Sequence, residues 1–253
     1  MSEAALAAAV DAARAAGRVA LKYYNAGFEI VLKPDATPVT QADREAERTI
    51  VEILGRAFPE HGFLGEEFGG SGNAATRWII DPIDGTKNFV RHIPIWATLI
   101  ALEEHGEITV GVVHNPVTGE LYTARRGGGA FLNGERLRIS DESDMSRAYL
   151  LHAGLRGART TRYWDGFMRL VDATDRQRGF GDFYGFVLVA QGSGELMIEQ
   201  GCHAWDLSAL EVIVEEAGGR MTAWDGKPDI FRPDVIASNG RLHGAALAVL
   251  HGK

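Results

Sequence analysis

Between Ala97 and Leu137 the apolar residues fall into four short runs, Ala97 to Leu102, Ile108 to Val113, Leu121 to Ala124 and Ala130 to Leu132. His105-Gly106, Thr118-Gly119 and Asn133-Gly134 punctuate them. Such pairs reverse a chain sharply because their backbones reach left-handed angles at low cost. The spacing predicts an antiparallel meander, since only antiparallel neighbours can be joined by turns this short. The polar run Ser140 to Ser146 then sets an expected boundary between an α+β half, residues 1–139, and an α/β half, residues 140–253.

Ahead of the meander, the alanine-rich stretch Ser2 to Tyr24 predicts a helix that closes near Gly27, and a loop with Pro34 and Pro38 follows. Thr40 is placed to cap a second helix, with Asp43 three residues on and apolar residues at helical spacing from Ile50 to Phe58 before Pro59. Phe63-Leu64 reads as a short strand, Gly69 to Gly72 as a flexible segment, and Trp78 to Asp81 as another strand. Beyond the boundary, strands are expected at Tyr149 to Leu151, Leu196 to Glu199, Met221 to Trp224 and Val235 to Ala237. Helices are expected at Tyr163 to Val171, Phe183 to Gln191, from Asp206 to the Gly218-Gly219 stop, and at Leu242 to Leu250.

Several function classes are excluded by what the chain lacks. A formal charge of −8 leaves no basic stripe to neutralise phosphates, so no nucleic-acid partner is expected. Cys202 is the single cysteine, which rules out an internal disulfide and a thiolate zinc cluster and suits a reducing cytoplasm. The eight histidines show no metal-ligand spacing. No apolar stretch approaches the roughly 18 residues of a membrane span, and the N-terminus lacks the basic region of an export signal, so neither membrane nor export is expected.

The chemistry concentrates where the strand Trp78-Ile79-Ile80 runs into Asp81-Pro82-Ile83-Asp84-Gly85-Thr86. Proline interrupts ladder pairing and glycine permits a sharp bend, so two carboxylates and a hydroxyl converge on one small volume. Asp-Pro and Asp-Gly also serve ordinary turns, and on the hexapeptide alone both readings stand. Glu66-Glu67 shortly upstream and Trp205-Asp206 far downstream add further carboxylates. An oxygen-rich set of this kind suits magnesium, which takes octahedral oxygen ligands and shares them with phosphate. Glu66, Asp81, Asp84 and Asp206 are the candidate metal ligands, with the Ile83 carbonyl as an extra oxygen. Thr86 and Asp43 each have a capping role open to them as well as a role in orienting water. Glu67 stands as a supporting neighbour or a solvated one.

Asp43, Glu66-Glu67, the hexapeptide and Trp205-Asp206 with Gly218-Gly219 together resemble the pattern of the inositol monophosphatase family, the magnesium-dependent, lithium-sensitive phosphatases. The resemblance spans residues 43 to 219 and implies a layered αβαβα sandwich, commonly a homodimer, with two or three magnesium ions. It places Glu66, Asp81, the Ile83 carbonyl, Asp84 and Asp206 on metal. Asp43, Thr86 and Glu66 become the catalytic set, the first two helping to activate water. The substrate is then a small phosphate ester, held by Gly85, Thr86, Asp182, Glu199 and Asp206.

Lys87 after Thr86, the stretch through Val90-Arg91 to Ile100, and Arg178-Gly179-Phe180-Gly181-Asp182 followed by Phe183-Tyr184 resemble the bacterial histidinol-phosphate phosphatase branch. Histidinol phosphate carries an ammonium and an imidazole, which extra acidic groups such as Asp182 and Glu199 would favour. Asp182 is equally placed to cap a helix, and Glu199 also falls where inositol-specific relatives contact substrate. Hydrolysis of L-histidinol phosphate is therefore the leading expectation. Inositol 1-phosphate or broad monoester hydrolysis comes second, and a catalytically inactive binding or regulatory relative third.

Overall fold

The computed structural model describes residues 2–26, 30–32 and 38–253. Its α-helices are α1 (Ser2–Ala26), α2 (Gln41–Ala57), α3 (Thr86–Phe89), α4 (Leu155–Ala158), α5 (Trp164–Ala173), α6 (Asp182–Ala190), α7 (Ala204–Glu216) and α8 (His243–Leu250). Strands β1 (Ile30–Leu32) and β2 (Pro38–Thr40) form an antiparallel ribbon. An eight-stranded sheet contains β3 (Gly62–Gly65), β4 (Gly69–Ser71), β5 (Thr76–Asp84), β6 (Ala97–Glu104), β7 (Glu107–Asn115), β8 (Glu120–Arg125), β9 (Gly129–Leu132) and β10 (Glu135–Arg136), ordered β10-β9-β8-β7-β6-β5-β3-β4. A five-stranded sheet contains β11 (Tyr149–His152), β12 (Arg176–Arg178), β13 (Leu196–Gln200), β14 (Arg220–Thr222) and β15 (Asp234–Ser238), ordered β12-β11-β13-β15-β14.

Side-chain alternation along the strands divides the interior into layers. On β5 and β6, Trp78, Ile80, Ile100 and Leu102 face α1 and α2, while Ile79, Leu99 and Ala101 face the opposite way. On the second sheet, Met197 and Ala237 turn inward to meet α6 and α7, and Leu196, Ile198 and Ile236 pack outward beneath α5 and α8. The period of two forces this, since neighbouring strand residues point to opposite faces. The outcome is helices, sheet, helices, sheet, helices, the layered αβαβα sandwich expected. Helix α1 lies close to its sheet because alanines at helical spacing, Ala5, Ala9, Ala12, Ala13 and Ala16, form its buried stripe. Helix α7 is clamped between the sheets. A Cβ on Gly111 of β7 would stand 2.4 Å from Val212 Cγ1 and 2.6 Å from the Ala209 carbonyl oxygen.

The meander is β6 to β10, antiparallel throughout. His105, Gly106, Asn133 and Gly134 all take positive φ at its turns. Four expectations need correction. The Gly69–Ser71 stretch is no loose segment, because as β4 it pairs with β3 at the sheet edge. Strand β5 continues past Asp81 to Asp84. Helix α7 begins at Ala204, two residues ahead of Asp206. Strand β12, short and polar as Arg176-Gln177-Arg178, carries no apolar signal and is absent from the expected strands. The helix stop at Gly27, the Pro34 turn and the Thr40 side chain lie outside what is described. Among the described residues, no helix is long and apolar enough to cross a membrane.

Candidate active site

Strand β5 slips register just where the chemistry is needed. Asp81 pairs with Leu99 and Asp84 with Ala97, so four residues oppose three. Pro82, which has no N–H to donate, sits inside this bulge, and its carbonyl accepts the Thr98 hydroxyl at 2.9 Å. The Ile83 N–H donates to Asp81 Oδ1 at 3.0 Å. A bulge re-aims side chains, which lets Asp81 and Asp84 turn toward one volume instead of alternating. Gly85 then takes φ 82°, and α3 follows. Gly85, not Thr86, is the residue preceding that helix, so the capping role considered for Thr86 does not hold. The Thr86 hydroxyl donates instead to the Ile83 carbonyl at 3.0 Å.

The third carboxylate arrives from the other half of the chain. Asp206 is the third residue of α7, and its Oδ2 accepts the His203 N–H at 2.7 Å, so it braces the helix start without being the first cap. His203 Nδ1 lies 3.5 Å from the same oxygen, and the His203 ring stacks on Trp205 with centroids 4.8 Å apart. Carboxylate oxygens of Asp81, Asp84 and Asp206 all come within 4.8 Å of one another. They line one cavity of about 840 Å³ with Glu66, Ile83, Gly85 and Thr86.

Asp182 and Glu199 line the same cavity. Asp182 is the first residue of α6, with Gly181 as its cap, so it too is not the cap considered from sequence. Its Oδ2 accepts from Asn88 Nδ2 at 2.9 Å, and the N–H of the next residue, Phe183, donates to Asp84 Oδ2 at 2.6 Å. Glu199 lies near the end of β13, partly buried, and its enclosed Oε2 has no hydrogen-bond donor among the described residues. Lys87 and Arg156 supply cationic side chains to the lining.

Two expected residues stand back from the cavity. Asp43 is buried in the first turn of α2 and Glu67 is buried beside Arg44, whose Nε is 3.9 Å away; neither lines the cavity. Glu47 is the functional neighbour that sequence reasoning misses. Its carboxylate accepts the backbone N–H of Glu67 at 2.8 Å and of Phe68 at 3.2 Å, which hangs the Glu66 loop from α2. A Cβ on Gly65 would fall 1.8 Å from Glu47 Oε1, so glycine is required for that carboxylate to reach the loop. A signal for it exists: Glu47 shares the buried face of an amphipathic helix with Asp43, Ala46, Ile50 and Leu54. A carboxylate there needs a partner. Asn88, which stands inside the motif, has no role that sequence alone assigns.

Burial comes first among the causes that push the Asp81 and Asp84 carboxyls far above the usual carboxylate range. Repulsion from Glu66, Asp84 and Asp206 adds to it at Asp81, and from Asp182 and Asp206 at Asp84, where the Phe183 N–H partly offsets it. Burial also leads for Asp182 and Glu199, both raised. Burial raises the Cys202 thiol as well, leaving it a protonated wall group. Like charges packed this closely are costly until a cation joins them. The all-oxygen donor set and the unbalanced buried charge fit a hard divalent ion such as magnesium.

Comparison with known proteins agrees with this geometry. The family model described as the inositol monophosphatase family matches residues 1–252. The chain is 44% identical over 230 residues to the histidinol-phosphatase of Mycobacterium tuberculosis, covering 88% of each protein. It is 42% identical over 233 residues to that of Streptomyces coelicolor, again covering 88% of each. Inositol monophosphatase 1 of Homo sapiens is 34% identical, with 95% of this chain and 91% of the human protein covered. Among solved structures, extragenic suppressor protein suhB from Bartonella henselae superposes with a TM-score of 0.90 at 36% identity, covering 98% of both chains.

Proposed function

The chain belongs to the inositol monophosphatase family, and we propose that it is a magnesium-dependent phosphate monoester hydrolase that converts L-histidinol phosphate and water to L-histidinol and phosphate in histidine biosynthesis. One observation carries the substrate reading. The cavity holds two further carboxylates, Asp182 and Glu199, beside the Asp81, Asp84 and Asp206 cluster. A phosphate ester whose other end is cationic uses both sets of carboxylates, whereas a neutral polyol brings no charge to the second set. The names of the relatives from Mycobacterium tuberculosis and Streptomyces coelicolor support the same choice.

Glu66, Asp81, Asp84, Asp206 and the Ile83 carbonyl would hold the metal, two or three ions in all, and magnesium held there would supply charge to neutralise the ester, lower the pKa of water and shield the leaving oxygen. The protein's own groups do the orienting. Thr86 Oγ1 donates its hydrogen to the Ile83 carbonyl, so its lone pairs accept from the attacking water and fix the direction of approach. Asp43, set back in α2, supports that arrangement from behind the cavity wall. Gly85 presents backbone without a side chain to the ester. Glu199 and Asp182 receive the ammonium and the imidazole ring. Neither Cys202 nor a histidine is needed as nucleophile, and attack by water is direct. Family membership further supports a lithium-sensitive homodimer, and the single cysteine supports a cytoplasmic setting.

The deciding experiment measures phosphate release from histidinol phosphate and inositol 1-phosphate side by side, with magnesium and with chelator. A kcat/KM preference of about a hundredfold for histidinol phosphate is expected, equivalent to about 2.7 kcal/mol. Asp182→Ala should erase about tenfold or more of that preference, the worth of one charge-assisted hydrogen bond. A preference for inositol 1-phosphate would make Glu199 a hydroxyl contact and replace this reading. No turnover of any ester with magnesium present would leave a binding protein.

A further inference from the structure

We propose that Asn88 is a positioning residue for substrate selection, which ties the Asp182 carboxylate to the metal turn and so holds it in place for the cationic end of the substrate. The proposal rests on Asp182 receiving the cationic end of the substrate.

Asn88 lies in α3, two residues after Thr86, and its amide group spends both hydrogens on bridging. Nδ2 donates to the Ile95 carbonyl at 2.9 Å and to Asp182 Oδ2 at 2.9 Å. One bond ties Asn88 to the return of its own turn. The other reaches 94 residues along the chain to the head of α6.

Asp182 needs such a tether. It takes φ 56°, a left-handed angle that is costly for a non-glycine residue and persists only where the surroundings impose it. Gly85 lies directly beside it, since a Cβ there would stand in ordinary contact with Asp182 Oδ2 at 3.5 Å and tight against the Ile95 oxygen at 3.0 Å. With the Phe183 N–H on Asp84, the head of α6 is held to the metal turn by two bonds from adjacent residues. Phe183 fixes the backbone, and Asn88 fixes the side chain.

The chemistry of the tether matters as much as its reach. A neutral amide donates a hydrogen bond without forming an ion pair, so the Asn88 tether itself cancels none of the charge that Asp182 offers a cation. A lysine or arginine at the same point would satisfy that charge internally. Asn88 engages Oδ2 of a residue that lines the cavity. Positioning of this kind acts on discrimination between substrates, because a carboxylate free to rotate loses its directed bond to a cation while a neutral ester never used it.

The test uses the full chain with magnesium and compares kcat/KM for histidinol phosphate with that for p-nitrophenyl phosphate in Asn88→Ala, Asp182→Ala and the double variant. Asn88→Ala should lower the ratio about tenfold, mainly through KM for histidinol phosphate. In the Asp182→Ala background it should change the ratio no further. Equal losses on both esters, or a further drop in the double variant, would overturn the proposal and make Asn88 a support for the turn alone. If Asp182→Ala leaves the ratio untouched, the reading of Asp182 itself fails. If Asp182→Ala lowers it and Asn88→Ala does not, only the positioning role fails. Should Asn88→Ala not fold, Asn88→Ser, which keeps a polar side chain but cannot span to Asp182, carries the same comparison.

Discussion

The two ends of α7 carry the same kind of side chain in opposite circumstances. At its start, Asp206 meets Asp81 and Asp84, and among the described residues no lysine or arginine forms an ion pair with any of the three. At its end, Arg126 Nη1 donates to Glu215 at 2.5 Å, and Arg126 Nε lies 3.5 Å from Glu107. The N–H groups of Gly127 and Gly129 bind Glu216 at 2.8 and 2.7 Å. Nearby, Arg77 meets Glu103 at 2.6 Å. Clustered carboxylates therefore do not by themselves mark a reaction site. What separates the two ends is the source of the balancing charge, supplied by the protein at one and demanded from outside at the other.

Substitutions at each end sharpen this contrast. The largest effect is expected from Asp84→Asn, which should lower kcat for histidinol phosphate about a thousandfold or more while the fold is kept. In chelator its melting temperature should exceed that of the parent, because the change removes repulsion that no internal cation relieves. Magnesium should raise the parent's melting temperature and leave that of the variant nearly still. Lower stability without metal, or undiminished turnover, would break the contrast. At the other end Arg126→Met should cost about 1 to 3 kcal/mol in urea denaturation, because it strands partly buried carboxylates, with magnesium activation unchanged. Altered magnesium dependence there would mean that the ends are not independent.

The smallest effect concerns pH. Burial, with repulsion from Glu215, pushes the half-buried Glu211 up to about 7, from an ordinary value of 4.5. Its folded form holds a proton more tightly than the unfolded chain does. That contribution is complete below about 4.5 and is lost as pH rises through about 7. Glu211→Gln should therefore melt about 2 to 4 °C higher than the parent at pH 8 and no higher at pH 4. A gain that is equal at both values would assign the effect to packing instead of charge.

Patterns that repeat locally are readable from sequence. The meander announces itself through glycine turns, and the αβαβα class follows from the resemblance carried by four separated motifs. The cluster of Asp81, Asp84 and Asp206 is readable in the same way, as residue types that only a cation would gather. Harder to read are features that depend on partners distant in sequence. Nothing near position 69 shows that β4 has β3 to pair with. The left-handed angle at Asp182 is invisible until Asn88 and Gly85 are seen around it. The start of α7 is read too late because Asp206 resembles a cap, while the actual first cap, His203, is a weak one by residue type.

Gly111 lies on β7 with α7 seated directly against it, and the contact includes Ala209, three residues beyond Asp206. Gly111 does not line the cavity, yet its missing side chain works as the shim that sets how far Asp206 hangs from Asp81 and Asp84. A single added methyl would act as a spacer, lifting the helix and widening the gap a cation must fill. The spacing of the three carboxylates is thus partly written on the floor beneath α7, at a residue outside the cavity.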